Sequence, residues 1–255
     1  MASVYVIAEA GVNHNGSRAT AGDLVRAAAA AGADAVKFQA FRSTELATAG
    51  AETAGYQRSS TGEASQEAML RRLELAEPDF AWLKDLCAEV GIDFLCSAFD
   101  LESIEMLAAL GVPAWKVPSG ELTDLPYLRR VARHAAASEK RVLLSTGMAE
   151  HDEVAAALDV LYAEGVDRDR MVVLHCSTEY PAALEDVNLL AMLSMGREFD
   201  VAVGYSDHSD GIAVATAAVA LGASVLEKHL TLDRAQPGPD HAASLEPAEF
   251  AAMVD

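Results

Sequence analysis

Gly32-Ala-Asp-Ala-Val-Lys37, Gly91-Ile-Asp-Phe-Leu-Cys96, Gly111-Val-Pro-Ala-Trp-Lys116 and Gly222-Ala-Ser-Val-Leu-Glu227 share one plan: a glycine, then a short apolar run. Each follows an Ala/Leu-rich stretch with helical periodicity, and Gly165 closes another such stretch. A helix stops readily at glycine because glycine adopts the left-handed conformation there without steric cost. Helix and strand alternating in this way imply a parallel sheet.

Working outward from these runs, strands are expected at 4–8, 34–38, 93–96, 114–117, 141–145, 171–175, 200–204 and 223–227. Helical patterns lie between them at about 20–31, 78–90, 101–110, 124–137, 150–164, 186–195 and 209–221. An eighth helix is expected near 246–254, where Pro247 suits a first turn. Eight strands with eight helices close a (β/α)₈ TIM barrel, read here as one α/β domain over residues 1–255. A doubly wound open sheet is the alternative arrangement. The segment 42–76 has no strong periodicity and follows the second strand, on the side where barrel loops carry function, as a lid would.

With 255 residues, about half of them apolar, the chain can bury a full-sized core. Residues 1–3 are followed at once by the strand-like Val4-Tyr-Val-Ile7 and then Glu9, which does not resemble a signal peptide. No apolar run approaches the roughly 18 residues that span a bilayer. Cys87, Cys96 and Cys176 form an odd, sparse set without CxxC spacing. That argues against a disulfide framework and a structural zinc site, and for a reducing, cytoplasmic compartment. A formal charge of −20 opposes nucleic acid and anionic membranes. An anionic substrate would need the few cationic side chains gathered in one place.

Barrel chemistry sits at the C-terminal ends of the strands, and here those ends are unusually polar. They carry Glu9 with Asn13 and His14, Lys37 and Gln39, Ser97, then Lys116, Ser119 and Glu121. The later ends carry Ser145-Thr-Gly147, His175 with Tyr180 beyond, Ser206-Asp-His208 and Glu227-Lys-His229. A single polar residue after a strand is more often a helix cap. Convergence from every strand favours a site. Lys37 and Lys116 stand where barrel interior is expected, and a buried ammonium is costly unless an anion accompanies it. They point to a bound phosphate or carboxylate, with Ser119, Ser145 and the Gly147 backbone as further donors.

His208 and His229 end adjacent strands, so their imidazoles can meet on one divalent ion. Few protein ligands leave open positions for a substrate oxygen, as Lewis-acid catalysis requires. Imidazole and water suit Mn²⁺ or another first-row ion. His134 and His151 fall on helices and read as surface residues. His175 reads equally as a ligand or as a packed neighbour of Cys176.

At these residues the chain closely resembles the sialic acid synthases. The resemblance is carried by Ile-Ala-Glu-Ala-Gly-Val-Asn-His-Asn-Gly16, Val-Lys-Phe-Gln39, Trp-Lys-Val-Pro-Ser-Gly-Glu121, Leu-Ser-Thr-Gly-Met148, His-Cys-Ser-Thr-Glu-Tyr-Pro181, Gly-Tyr-Ser-Asp-His208, Glu-Lys-His229 and Gly-Pro-Asp240. It implies a cytoplasmic, metal-dependent synthase joining phosphoenolpyruvate to an N-acetylated amino sugar. Residues matching Lys37, Ser97, Lys116, Ser119, Ser145 and Ser206 would hold phosphoenolpyruvate. Those matching His208 and His229 would hold the metal, usually Mn²⁺, and those matching Gln39, Glu121, Tyr180 and Asp240 would surround the sugar. In such a reaction C3 of phosphoenolpyruvate attacks an aldehyde, water adds at C2 and phosphate leaves. Glu9 and Glu121 are both candidates to manage that water.

The stretch around Thr178 most resembles legionaminic acid synthases, which implies 2,4-diacetamido-2,4,6-trideoxymannose as the sugar, with N-acetylmannosamine the alternative. Relatives of this kind are homodimers and carry a C-terminal domain resembling antifreeze protein, which reaches the partner's sugar site; this chain ends at Asp255. Two rival readings remain open: a barrel that binds phosphoenolpyruvate and metal without turnover, and another metal-dependent barrel aldolase.

Overall fold

The structure, a computed structural model, describes residues 4–48 and 50–255; residues 1–3, at the head of the run read for a leader, lie outside the described residues. Eight strands form: β1 (Tyr5–Gly11), β2 (Ala35–Ala40), β3 (Asp93–Ala98), β4 (Ala114–Val117), β5 (Arg141–Ser145), β6 (Met171–His175), β7 (Ala202–Asp207) and β8 (Val225–His229). All neighbouring pairs are parallel and β1 also pairs with β8, so the sheet is a closed barrel and the open-sheet alternative falls.

Helices follow the strands on the outside. The larger ones are α1 (Arg18–Ala30), α5 (Glu77–Val90), α6 (Leu101–Leu110), α7 (Leu125–Ser138), α8 (His151–Ala163), α9 (Leu190–Phe199), α10 (Ala213–Ala220) and α11 (Pro247–Val254). The ends are local chemistry. Asp100 and Asp124 cap α6 and α7 by accepting from the Ser103 and Tyr127 amides. At Gly91 α5 stops in the left-handed region, φ +81°, and the chain turns directly into β3.

Side chains alternate across each strand, and the two sides of the barrel wall bury different chemistry. In β2, Val36 and Phe38 face the helices while Ala35, Lys37 and Gln39 face inward. The lower interior is filled by Ile7, Ala35, Leu95, Ala114, Leu143, Val172, Leu174 and Val225. One step further along the same inward rows come Glu9, Lys37, Ser97, Lys116, Ser145, Ser206 and Glu227, which line a cavity instead of filling it. The floor is therefore apolar and the roof polar.

Several boundaries differ from expectation. β7 and β8 run on to Asp207 and His229, past the expected ends at 204 and 227. Charged residues usually end a strand, but here they satisfy one another across the ladder, with Asp207 opposite Lys228 and Ser206 opposite Glu227. The helix expected over 186–195 starts at Leu190, after a turn at Leu184–Asp186, and the one expected from 209 starts at Ala213. Segment 42–76 holds three short helices: α2 (Ser43–Leu46), α3 (Gly55–Thr61) and α4 (Gln66–Leu73). Met69, Leu70 and Leu73 pack on Val12 and Phe41 at the barrel rim, and none of the segment's described residues lines the central cavity.

Gly204 in β7 faces inward with no room for a side chain: a Cβ there would lie 2.4 Å from the Val225 carbonyl oxygen and 2.5 Å from Leu174 Cδ2. Overpacking of this kind costs about 1–3 kcal/mol. Gly204→Ala should therefore lower the midpoint of urea unfolding, and an unchanged midpoint would show that the barrel wall gives way at that point.

Candidate active site

The inward polar residues enclose a cavity of about 320 Å³, a size typical of small-ligand sites. Glu227, from the middle of β8, is at its base. Its Oε1 lies 3.5 Å from Lys116 Nζ and 3.6 Å from Lys37 Nζ and accepts a 3.1 Å hydrogen bond from Ser206 Oγ. Lys37 also pairs with Glu9 Oε2 at 2.8 Å and donates to Ser97 Oγ at 3.2 Å. Gln39 Nε2 donates to Glu9 Oε1 at 3.0 Å. All four charged side chains are at most 5% exposed.

Burial and pairing pull these groups in different directions. Burial alone would raise the Glu227 carboxyl, but Lys116 and Lys37 hold it below its ordinary value. Burial would likewise depress Lys37, but Glu227 and Glu9 keep it charged. For Lys116 burial wins and the ammonium is pushed down. Burial also lifts the Glu9 carboxyl against the pull of Lys37. Lys116 has the shared Glu227 oxygen, at 3.5 Å, as its ion-pair partner, and Ser145 Oγ is buried without a partner among the described residues. The Ser145 hydroxyl is thus a donor left for something other than protein.

On the next wall His208, just past β7, and His229, ending β8, stand with ring centroids 5.4 Å apart, and Tyr180 lies 4.2 Å from the His208 ring. His208 Nδ1 meets the Ser177 carbonyl, which can only accept, so Nδ1 carries the proton and Nε2 keeps its lone pair. His229 Nδ1 is buried without a hydrogen bond, 3.9 Å from Asp240 Oδ2. Burial lowers both imidazoles, His229 furthest, so both are neutral and able to ligate. Among the described residues no third His, Cys, Asp or Glu completes a metal cluster with them. The donor set thus suits an ion that keeps open positions for water or substrate.

The sequence profile of the NeuB family matches residues 24–255. The chain belongs to the NeuB family. The N,N'-diacetyllegionaminic acid synthase of Legionella pneumophila is 47% identical over 98% of this chain and 70% of its own length. The enzyme of the same name from Campylobacter jejuni is also 47% identical, over 98% of this chain and 74% of its own. Among solved structures, the N-acetylneuraminic acid (sialic acid) synthetase of Leptospira borgpetersenii superposes with a TM-score of 0.85 at 33% identity, covering 99% of this chain and 81% of that one.

In this NeuB barrel nearly all the residues singled out from sequence line one cavity: Glu9, Lys37, Gln39, Ser97, Lys116, Ser119, Ser145, Thr178, Tyr180, Ser206, His208 and His229. Ser119 accepts from the Gly147 amide at 2.9 Å and lies 3.3 Å from Cys176 Sγ. Two expected residues stand back. Glu121, on the turn Ser119–Glu121, is half-buried and does not line the cavity, and Asp240 sits behind His229. Burial, with Asp124 and Asp100 nearby, lifts the Glu121 carboxyl, and burial beside Glu9 lifts Asp240 to about 7.

His175 turns away from the cavity, bonded to the Val187 carbonyl at 2.9 Å; His134 is half-buried, stacked on Trp115, and His151 is exposed. Glu227 is the residue that sequence reading left without a role. Its signal was Glu-Lys-His229 itself, in which period two puts Glu227 and His229 on the inward face and Lys228 on the other.

Removing one member of a buried charge cluster costs about 3–5 kcal/mol. Glu227→Ala, which leaves two lysines without their shared carboxylate, should lower urea stability at neutral pH by that order. Because Lys116 and Lys37 depress Glu227, the stability it adds is present above its ordinary value of 4.5 and is lost as pH falls through the lower folded value. Glu227→Gln should therefore show a flatter acid limb below pH 4.5 than the parent protein; parallel limbs would remove Glu227 from the cluster's balance.

Proposed function

We propose that this NeuB barrel condenses phosphoenolpyruvate with an N-acetylated amino sugar, giving a nine-carbon sialic acid-like sugar and phosphate. The observation that carries the reading is two buried ammonium groups, Lys37 and Lys116, sharing one Glu227 oxygen in a cavity where Ser145 Oγ has no partner. An anion entering there adds a second counter-charge for Lys116 and an acceptor for Ser145. Lys37, Lys116, Ser97, Ser119, Ser145 and Ser206 are the proposed phosphoenolpyruvate site, in which the lysines orient the substrate and offset charge on the departing phosphate.

His208 and His229 are the proposed metal ligands. Bound between them, a divalent ion, Mn²⁺ in this proposal, supplies Lewis-acid polarisation of a substrate oxygen. Glu9 is the proposed proton-handling carboxylate in preference to Glu121, because it faces the cavity, where burial lifts its carboxyl above the ordinary value. Gln39, Glu121, Thr178, Tyr180 and Asp240 are the proposed sugar side, with Gln39, Thr178 and Tyr180 on the cavity wall.

The sugar is proposed as 2,4-diacetamido-2,4,6-trideoxymannose, the product being a legionaminic acid, on two supports. One is the 47% identity to the two legionaminic acid synthases. The other is Thr178, whose Cγ2 packs where a Gly147 side chain would be, at 2.5 Å from an added Cβ. Thr178 thereby presents one short polar group on the cavity wall, and sites built around particular polar groups discriminate strongly. The chain is proposed to act as a cytoplasmic homodimer; three buried free cysteines suit a reducing compartment, and among the described residues no helix is long and apolar enough to cross a membrane.

Incubation with phosphoenolpyruvate, Mn²⁺ and a panel of amino sugars should release phosphate and yield nine-carbon products by mass; aldol products without phosphate release would reject the synthase reading. His208→Ala and His229→Ala should lose activity by several orders of magnitude while unfolding near the parent temperature, and full turnover of either in chelator would overturn the metal assignment. In a competition under limiting enzyme, kcat/KM should favour the diacetamido sugar, and a clear preference for N-acetylmannosamine would reject that choice.

A further inference from the structure

A second charged pair lies just outside the cavity wall, and the chemistry above leaves it unused. Asp207 and Lys228 are each fully buried on the outward face of β7 and β8, with Lys228 Nζ 2.9 Å from Asp207 Oδ2. Each is the immediate neighbour of one of the two inward histidines. The other Asp207 oxygen, Oδ1, accepts from the Ser209 amide at 2.9 Å and from Ser209 Oγ at 2.7 Å. The carboxylate thus latches residue 207 to residue 209 and closes a tight turn with His208 at its centre. Lys228 Nζ also donates to the Ser209 carbonyl, so one ammonium holds both ends of that turn.

Stability alone does not account for the pair. Taking two charges fully out of water is costly, and well-packed apolar replacements for such pairs are often neutral or stabilising. Packing would be served as well by two aliphatic side chains. What aliphatic groups would not supply is the directional fastening of the His208 turn to the strand that carries His229. Besides the Tyr180 ring, which packs on both imidazoles, His208 has the Ser177 carbonyl at its Nδ1 and the Ala182 amide, which donates to its carbonyl oxygen at 2.9 Å. Neither of these two hydrogen bonds refers its position to His229. Lys228 does, because it precedes His229 in β8.

We propose that Asp207, Lys228 and Ser209 form a positioning clamp that sets the spacing of the two imidazoles and so the affinity of the site for a divalent ion. This rests on the reading of His208 and His229 as ligands. Outer partners that orient metal ligands are worth about 10–100-fold in metal affinity.

The test is calorimetric titration of the metal-free full chain with Mn²⁺ alone, beside thermal unfolding, for the parent, His208→Ala, Ser209→Ala and the double variant Asp207→Leu with Lys228→Met. Expected are a Kd weakened about 10–100-fold in the double variant, with its Tm near that of the parent, and a several-fold weakening in Ser209→Ala. Parental Kd in a folded double variant overturns the clamp. Should the double variant fail to fold, Ser209→Ala decides, and a parental Kd there overturns it equally. If the parent binds no Mn²⁺, or His208→Ala binds it as tightly, the ligand assignment fails first and takes the clamp with it.

Discussion

One carboxylate oxygen shared between two buried ammonium groups is the constraint around which the upper barrel is arranged. Glu227 Oε1 lies about equally far from Lys37 and Lys116, at 3.6 and 3.5 Å, and it is the one carboxylate that pairs with both of these buried cations. The compensation is incomplete by design of the geometry: burial still pushes Lys116 down, and Ser145 beside it keeps an unspent hydroxyl. An anion that reaches Lys116 and Ser145 adds contacts and also offsets the cost of holding that ammonium buried.

That arrangement needs a rigid floor. Ile7, Leu95, Leu143, Val172, Leu174 and Val225 supply one, on the same inward rows as the charged residues but one step earlier in each strand. The apolar layer keeps water from below, so the charges above act in a low-dielectric setting where their mutual attraction is strong. The helices around the outside contribute nothing to the chemistry directly. They bury the outward rows, such as Val36, Phe38, Phe94, Val142 and Leu144, and so hold the strands in the register that brings the inward rows together.

The two histidines obey a different rule from the lysines. Burial lowers both to neutral imidazole, which is the form that ligates, and the Ser177 carbonyl selects the tautomer of His208. Their spacing is set by backbone fastening outside the cavity, where the Asp207–Lys228 pair crosses from β7 to β8. Charge on one face of the strand pair thus arranges neutral donors on the other.

Much of this was legible in the linear chain. Helix, glycine and apolar run repeat often enough to specify alternating elements, and the number of repeats closes a barrel, because period and capping are local properties that the chain expresses wherever it goes. The polar residues at strand ends announced a site, since Lys37 and Lys116 stand in runs otherwise apolar. Local signals misled where charge meets strand: β7 and β8 continue through Ser206-Asp207 and Glu227-Lys-His229 because their polar groups pair across the ladder, and pairing between residues some twenty positions apart is not a local property. Glu227 owes its place at the centre to the closure of the barrel, which brings β8 back against β1 and within reach of Lys37 on β2, whereas Glu121 is carried off the cavity wall by the turn that follows β4. The sequence determined which faces each strand would present. Only the closed tertiary structure decided which side chains on those faces meet, because the ring of strands sets distances that no spacing along the chain contains.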